Sequence, residues 1–149
     1  MGKRLLTVLA VAAFMSGAVF LSLSGAADVP DVITLEDTLW SEHTKSPVTF
    51  FHKKHSEEYS IACDECHHVY KDGENVWKEG DPVQKCHECH TEPTVTGERR
   101  LSEEQQKLNL KLAFHNNCMG CHRELKMQDR EKYKDIPTMC SQCHPMEKK

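Results

Sequence analysis

The sequence predicts a fold of mostly coil, with a few short α-helices and a small two-stranded β-hairpin, wrapped around bound macrocycles instead of an ordinary side-chain core. Three observations predict it. The chain has 149 residues with 38% hydrophobic and 7% aromatic content, which is thin material for a conventional core. Its eight cysteines all fall in four CxxC pairs. A histidine follows every pair: Cys63-Asp-Glu-Cys66-His67, Cys86-His-Glu-Cys89-His90, Cys118-Met-Gly-Cys121-His122 and Cys140-Ser-Gln-Cys143-His144. CxxCH is the attachment signature of c-type haem, in which the two thiols form thioethers with the vinyl groups and the adjacent imidazole binds the iron. Four such sites predict four covalently bound c-type haems. On so short a chain they form the interior and lie close together.

Taken in order, residues 1–27 read as a cleaved signal peptide and 28–149 as one tetrahaem domain. Lys3 and Arg4 make a positive n-region, residues 5–23 are almost wholly apolar or small, and Ser24-Gly25-Ala26-Ala27 offers small residues for cleavage before Asp28. The competing reading is an uncleaved anchor, because an apolar run of that length just spans a bilayer. Export fits the cysteine usage, since c-type haem is attached outside the cytoplasmic membrane, and a periplasmic location is expected. Residues 28–40 read as an arm covering part of the haem cluster, with a short strand at 32–35. Residues 47–51 are expected to be extended: proline turns its predecessor away from helix, and Val, Thr and Phe favour strands. His52 and His55 open a helical turn that places both imidazoles on roughly one side.

The span 69–77 reads as a hairpin with Asp72-Gly73 as its turn. Residues 91–100, with Pro93 and Gly97, read as a loop. Ser102-Glu-Glu-Gln105 has the form of a capping box and predicts a helix running to about Asn116. On that helix Leu108, Leu112 and His115 share a face, which would lay leucines on a macrocycle and deliver His115 to an iron. Residues 123–135 are strongly charged and read as a solvated helix. Thr138, after Pro137, is the expected N-cap of a short turn holding the fourth CxxCH.

Two other chemistries use paired cysteines. Two CxxC pairs make a Cys₄ zinc site, and small exported proteins are often cross-linked by disulfides. Neither needs a histidine after all four pairs. The ten histidines sharpen the haem reading. His67, His90, His122 and His144 are proximal. Six remain: His43, His52, His55, His68, His87 and His115. Four of these close every iron with a second imidazole, which leaves His43, in the arm, and His87, inside the second CxxCH, as surface residues. Met119, Met127, Met139 and Met146 are then packing residues, not ligands. An iron with both axial positions filled exchanges electrons readily but binds substrate poorly, so electron transfer is expected, at low potential because no methionine is a ligand. With Lys3 and Arg4 removed the net charge moves from −4 to −6. That charge disfavours nucleic acid and anionic membrane surfaces and favours a partner with a basic face.

The segment VTFFHKKH, the doubled histidine of CDECHH and the order of the four sites resemble the class III cytochromes c, the tetrahaem cytochrome c3 family of sulfate-reducing bacteria. The resemblance covers about residues 47–144. It implies a distal ligand for each haem: His52 for the first (Cys63, Cys66, His67), His68 for the second (Cys86, Cys89, His90), His55 for the third (Cys118, Cys121, His122) and His115 for the fourth (Cys140, Cys143, His144). This sequence departs from common members in two ways. Those carry CxxxxCH at the second and fourth haems, and a lysine patch near the fourth that docks hydrogenase. Here all four motifs are CxxCH, and Arg130, Lys132 and Lys134 are interspersed with Asp129, Glu131 and Asp135. AFHNNCMGCHRE is closer to the acidic type II members, which implies as partners a basic type I tetrahaem cytochrome, a membrane-bound redox complex and, less directly, periplasmic hydrogenase. The protein is expected to be a monomer and not an enzyme. The rival from another class is a multihaem reductase with one open iron.

Overall fold

The computed structural model describes residues 29–145. The leader and anchor readings of residues 1–27 lie outside the described residues, as do Met146 and the terminal lysines. The chain is mostly coil with short elements between the CxxCH motifs. Strand β1 (Ile33–Leu35) pairs antiparallel with β2 (Val48–Phe50), with Thr34 opposite Thr49. Strands β3 (Tyr70–Lys71) and β4 (Glu74–Asn75) form the hairpin expected at 69–77. Its turn residues Asp72 and Gly73 both have positive φ, 53° and 87°, the backbone that a tight two-residue hairpin requires. The described residues therefore hold two small sheets, not one hairpin: the two segments expected to be separately extended pair with each other and tie the arm to the rest of the chain.

Helix α1 (Cys86–Cys89) carries the second motif, with the Glu88 carboxylate accepting from the Lys85 N–H at 2.9 Å. Helix α2 (Glu103–Leu108) begins with the expected box: Ser102 Oγ accepts from Gln105 N at 3.3 Å, and Gln105 Oε1 accepts from Ser102 N at 3.2 Å. The single helix expected to reach Asn116 is interrupted. Asn109 is extended, with φ −76° and ψ 117°, and caps a second helix, α3 (Leu110–Gln128), by accepting from Leu112 N at 2.9 Å. The break exists because Asn109 has better partners outside a helix: it bridges in parallel to Glu92, and Leu110 N donates to Glu92 O at 3.1 Å.

The interruption corrects three expectations. Leu108 does not share a face with Leu112 and His115. It is exposed, whereas Leu110 and Leu112 are buried. Helix α3 is not short but runs 19 residues, straight through the third CxxCH, and the charged tail expected as a separate helix is the end of α3 followed by turns over 129–135. At the fourth motif, α4 (Cys140–Cys143) is capped at Met139 and not at Thr138, because Gln142 Oε1 accepts from both Thr138 N at 2.9 Å and Met139 N at 3.0 Å.

Among the described residues the buried hydrophobic side chains are only Trp77, Leu110 and Leu112. Apolar side chains such as Phe51, Tyr59, Tyr70 and Val83 stay exposed. A domain of this length ordinarily removes most of its apolar surface from water. Side chains alone do not do so here. No described helix is long and apolar enough to cross a membrane.

Candidate haem sites

Each CxxCH is wound as one turn of helix, and the spacing explains why. Positions i, i+3 and i+4 lie on one helical face, so both thiols and the imidazole point the same way. His67 N donates to Cys63 O at 2.9 Å, His90 N to Cys86 O at 2.8 Å and His144 N to Cys140 O at 2.7 Å. The third motif lies inside α3. All eight cysteines are free thiols, so no disulfide staples the described chain. Nor do three or more His, Cys, Asp or Glu side chains gather around a metal-sized point among the described residues, as a Cys₄ zinc site requires.

Each motif histidine faces a second imidazole from elsewhere in the chain. Ring centroids are 6.5 Å apart for His52 and His67, 6.0 Å for His68 and His90, 6.2 Å for His55 and His122, and 6.5 Å for His115 and His144. Two imidazoles bound to opposite sides of one metal, with metal–nitrogen bonds of about 2.0–2.1 Å, put their ring centres roughly 6 Å apart. The residues therefore fit a c-type haem at each motif: two thiols, one imidazole beside them, and a second imidazole at sandwich distance.

The surroundings orient these rings. Nδ1 lies within hydrogen-bond distance of a backbone carbonyl in four of the eight: His55 with Phe51 at 2.9 Å, His90 with Lys107 at 2.9 Å, His122 with Pro137 at 2.8 Å and His144 with Ser46 at 2.7 Å. When Nδ1–H donates there, Nε2 is left as the metal-binding nitrogen, the arrangement that fixes the tautomer of metal-ligating histidines. His55 sits on a wide helical turn, Lys54–Glu58, closed by Tyr59 N to Lys54 O at 2.9 Å, and His52 lies on the helical residues just before it. Such widened turns cluster at functional sites. Phe50 packs against both rings, at 5.9 Å and 4.7 Å between centroids. His67 stacks on Trp77 at 4.9 Å. Asn75 Nδ2 donates to His67 O at 3.0 Å, and Asn75 Oδ1 accepts from Val69 N at 3.0 Å and Trp77 N at 3.2 Å, so the hairpin grips the first motif.

Burial holds His67, His115 and His122 below the usual imidazole value, which favours the neutral ring that binds metal. For His67 the neighbouring imidazoles of His52 and His68 push the same way. Burial also raises the Cys118 thiol to about 11, helped by Cys66, Cys143 and Cys86 as well as its own partner Cys121.

His43 is exposed, as expected, beside Trp40. His87 is not a surface residue. It is half-buried, and its Nδ1 lies 2.8 Å from Asp37 Oδ2 in the arm. Asp37, Trp77, Asn75 and Asn109 were not singled out from the sequence. Only Trp77 carried a signal, as a large aromatic at the end of the predicted hairpin.

Motif turns that each join a pair of attachment cysteines to an imidazole are the mark of a c-type cytochrome. Residues 29–144 match the model of the Class III cytochrome C family. The chain is 30% identical over 119 residues to "Cytochrome c3, 26 kDa" of Desulfomicrobium norvegicum, covering 78% of this chain and 96% of that one. It is 30% identical over 127 residues to a cytochrome c3 of Maridesulfovibrio salexigens, covering 81% and 99%. With a cytochrome c3 of Nitratidesulfovibrio vulgaris it shares 34% over 110 residues, covering 72% and 78%. The chain belongs to the class III cytochrome c family, whose members bind c-type haems and transfer electrons.

Proposed function

We propose that this protein is a periplasmic, low-potential electron carrier with four covalent haems, each held by two histidines: His67 with His52, His90 with His68, His122 with His55, and His144 with His115. The observation that carries the reading is the set of four imidazole pairs at 6.0–6.5 Å, each joining a CxxCH histidine to one from a different part of the chain. Bound haem iron supplies a reversible one-electron change. The chain's own residues fill both axial positions, and backbone carbonyls at Nδ1 of His55, His90, His122 and His144 hold those four rings in the tautomer that presents Nε2. Imidazole on both sides, without methionine, favours low potentials. The acidic surface suits exchange with a basic tetrahaem cytochrome or hydrogenase on one side and a membrane redox complex on the other.

A reductase with one open iron requires a motif histidine with no second imidazole facing it, and each of the four has one. Mass spectrometry of the mature protein and carbon monoxide titration of the reduced form test the reading together. Four haem masses and no tight carbon monoxide binding are expected. Fewer than four haems would overturn the haem count, and tight binding at one haem would favour the reductase.

A further inference from the structure

Ser46 grips the fourth motif from the other end of the chain. Its carbonyl lies 2.7 Å from His144 Nδ1, and its hydroxyl donates to the carbonyl of Pro145 at 2.7 Å. The residue that follows is Pro47, which confines Ser46 to extended backbone, so the carbonyl has little freedom to turn away. The neighbouring contacts differ in kind. The carbonyls facing His55, His90 and His122 come from residues 4, 17 and 15 positions away, whereas that facing His144 comes from 98 positions away. The third pair has a carbonyl on both of its rings, through Phe51 and Pro137. In the fourth pair His115 has no hydrogen-bond partner on its ring, so among the described residues the Ser46 carbonyl is the only hydrogen-bond partner of either imidazole.

An Nδ1–H donating to a carbonyl makes the opposite nitrogen more basic, which favours the oxidised iron and lowers the potential. Resting on the bis-histidine reading above, we propose that Ser46 is a positioning residue that lowers the reduction potential of the haem at Cys140–His144, and that its hydroxyl bond to Pro145 keeps the carbonyl on His144.

The test uses the haem-loaded protein and its Ser46→Ala and Ser46→Thr variants. Reduction by dithionite is followed at each haem through its resolved methyl resonances. Ser46→Ala is expected to raise the reduced-to-oxidised ratio of the fourth haem at fixed potential by about three- to tenfold, or ~30–60 mV for one electron, while the other three stay put. Ser46→Thr keeps the hydroxyl and restores the original value. An unchanged fourth haem in Ser46→Ala, or a common shift of all four, overturns the proposal. A second measurement needs no variant: the His144 Nδ1 proton is expected to exchange with solvent far more slowly than that of His115, and equal rates overturn the proposal even if Ser46→Ala does not fold. Failure of the underlying ligation is separable, because a high-spin or carbon monoxide-binding fourth haem in the unaltered protein marks it.

Discussion

Asn109 is fully buried, and both polar atoms of its side chain are used. Nδ2 donates to Thr94 O at 2.9 Å and Glu92 O at 3.2 Å, and Oδ1 accepts from Leu112 N at 2.9 Å. Asn109→Ala removes these bonds and strands buried carbonyls and a helix-start N–H, at a cost of about 3 kcal/mol. Asn109→Asp keeps the cap but sets a carboxylate against two carbonyl oxygens, and should cost more. Denaturant melts check both, and an Asn109→Asp variant as stable as the original protein would refute the account. Nothing in the sequence distinguished this asparagine from Asn116 or Asn117, because its partners lie on a loop 15–17 residues earlier. His68 was legible, since a histidine directly after a complete CxxCH has no use there. Its ring lies 6.0 Å from His90, which belongs to the next motif. His68→Ala should retain four haems by mass, because the thioethers of the second site are untouched. It should open that haem alone to carbon monoxide. Loss of carbon monoxide selectivity, with several haems binding, would show that His68 is not the second site's ligand.

At the scale of elements, local chemistry was readable and pairing was not. The capping box at Ser102, the Asp72-Gly73 turn and the helical CxxCH turns follow from side chains within four residues of one another. The β1–β2 pairing, the break at Asn109 and the Asp37–His87 contact depend on groups far apart in sequence, and a linear reading has no term for them. Two glycines separate the local rule from the packing rule. Neither Gly73 nor Gly120 has an atom within 4 Å of the position a Cβ would take. Gly73 has φ +87° in the hairpin turn, where a Cβ strains the backbone whatever the space, so Gly73→Ala should destabilise by about 1–2 kcal/mol. Gly120 lies in α3 between Cys118 and Cys121, on ordinary helical backbone. Gly120→Ala should stabilise by about 0.5–1 kcal/mol. Thermal melts of the two variants should move in opposite directions. A fall for Gly120→Ala would mean that the helix face opposite the attachment thiols is covered by something.

For the whole molecule, the thin side-chain core and the excess of histidines describe one arrangement. On the proposed reading, each of the four motifs presents an imidazole pair to a haem, which would assign the interior to cofactors and leave the polypeptide as a charged envelope. That reading follows from counting cysteines and histidines, since each CxxCH marks one attachment site. Which rings face each other came from the family resemblance, and only the folded chain gives their separations. The chain is acidic, at −4 over its full length. Long-range attraction to a lysine-rich redox partner should therefore raise the encounter rate at low salt. Screening shortens the reach of those charges from about 30 Å at 0.01 M to about 8 Å at 0.15 M ionic strength. Stopped-flow electron exchange with a basic tetrahaem cytochrome should slow steeply over that range, whereas exchange with an acidic one should quicken as repulsion is screened. Indifference of both rates to salt would exclude surface charge as the basis of partner choice and leave contact at an exposed haem edge as the alternative.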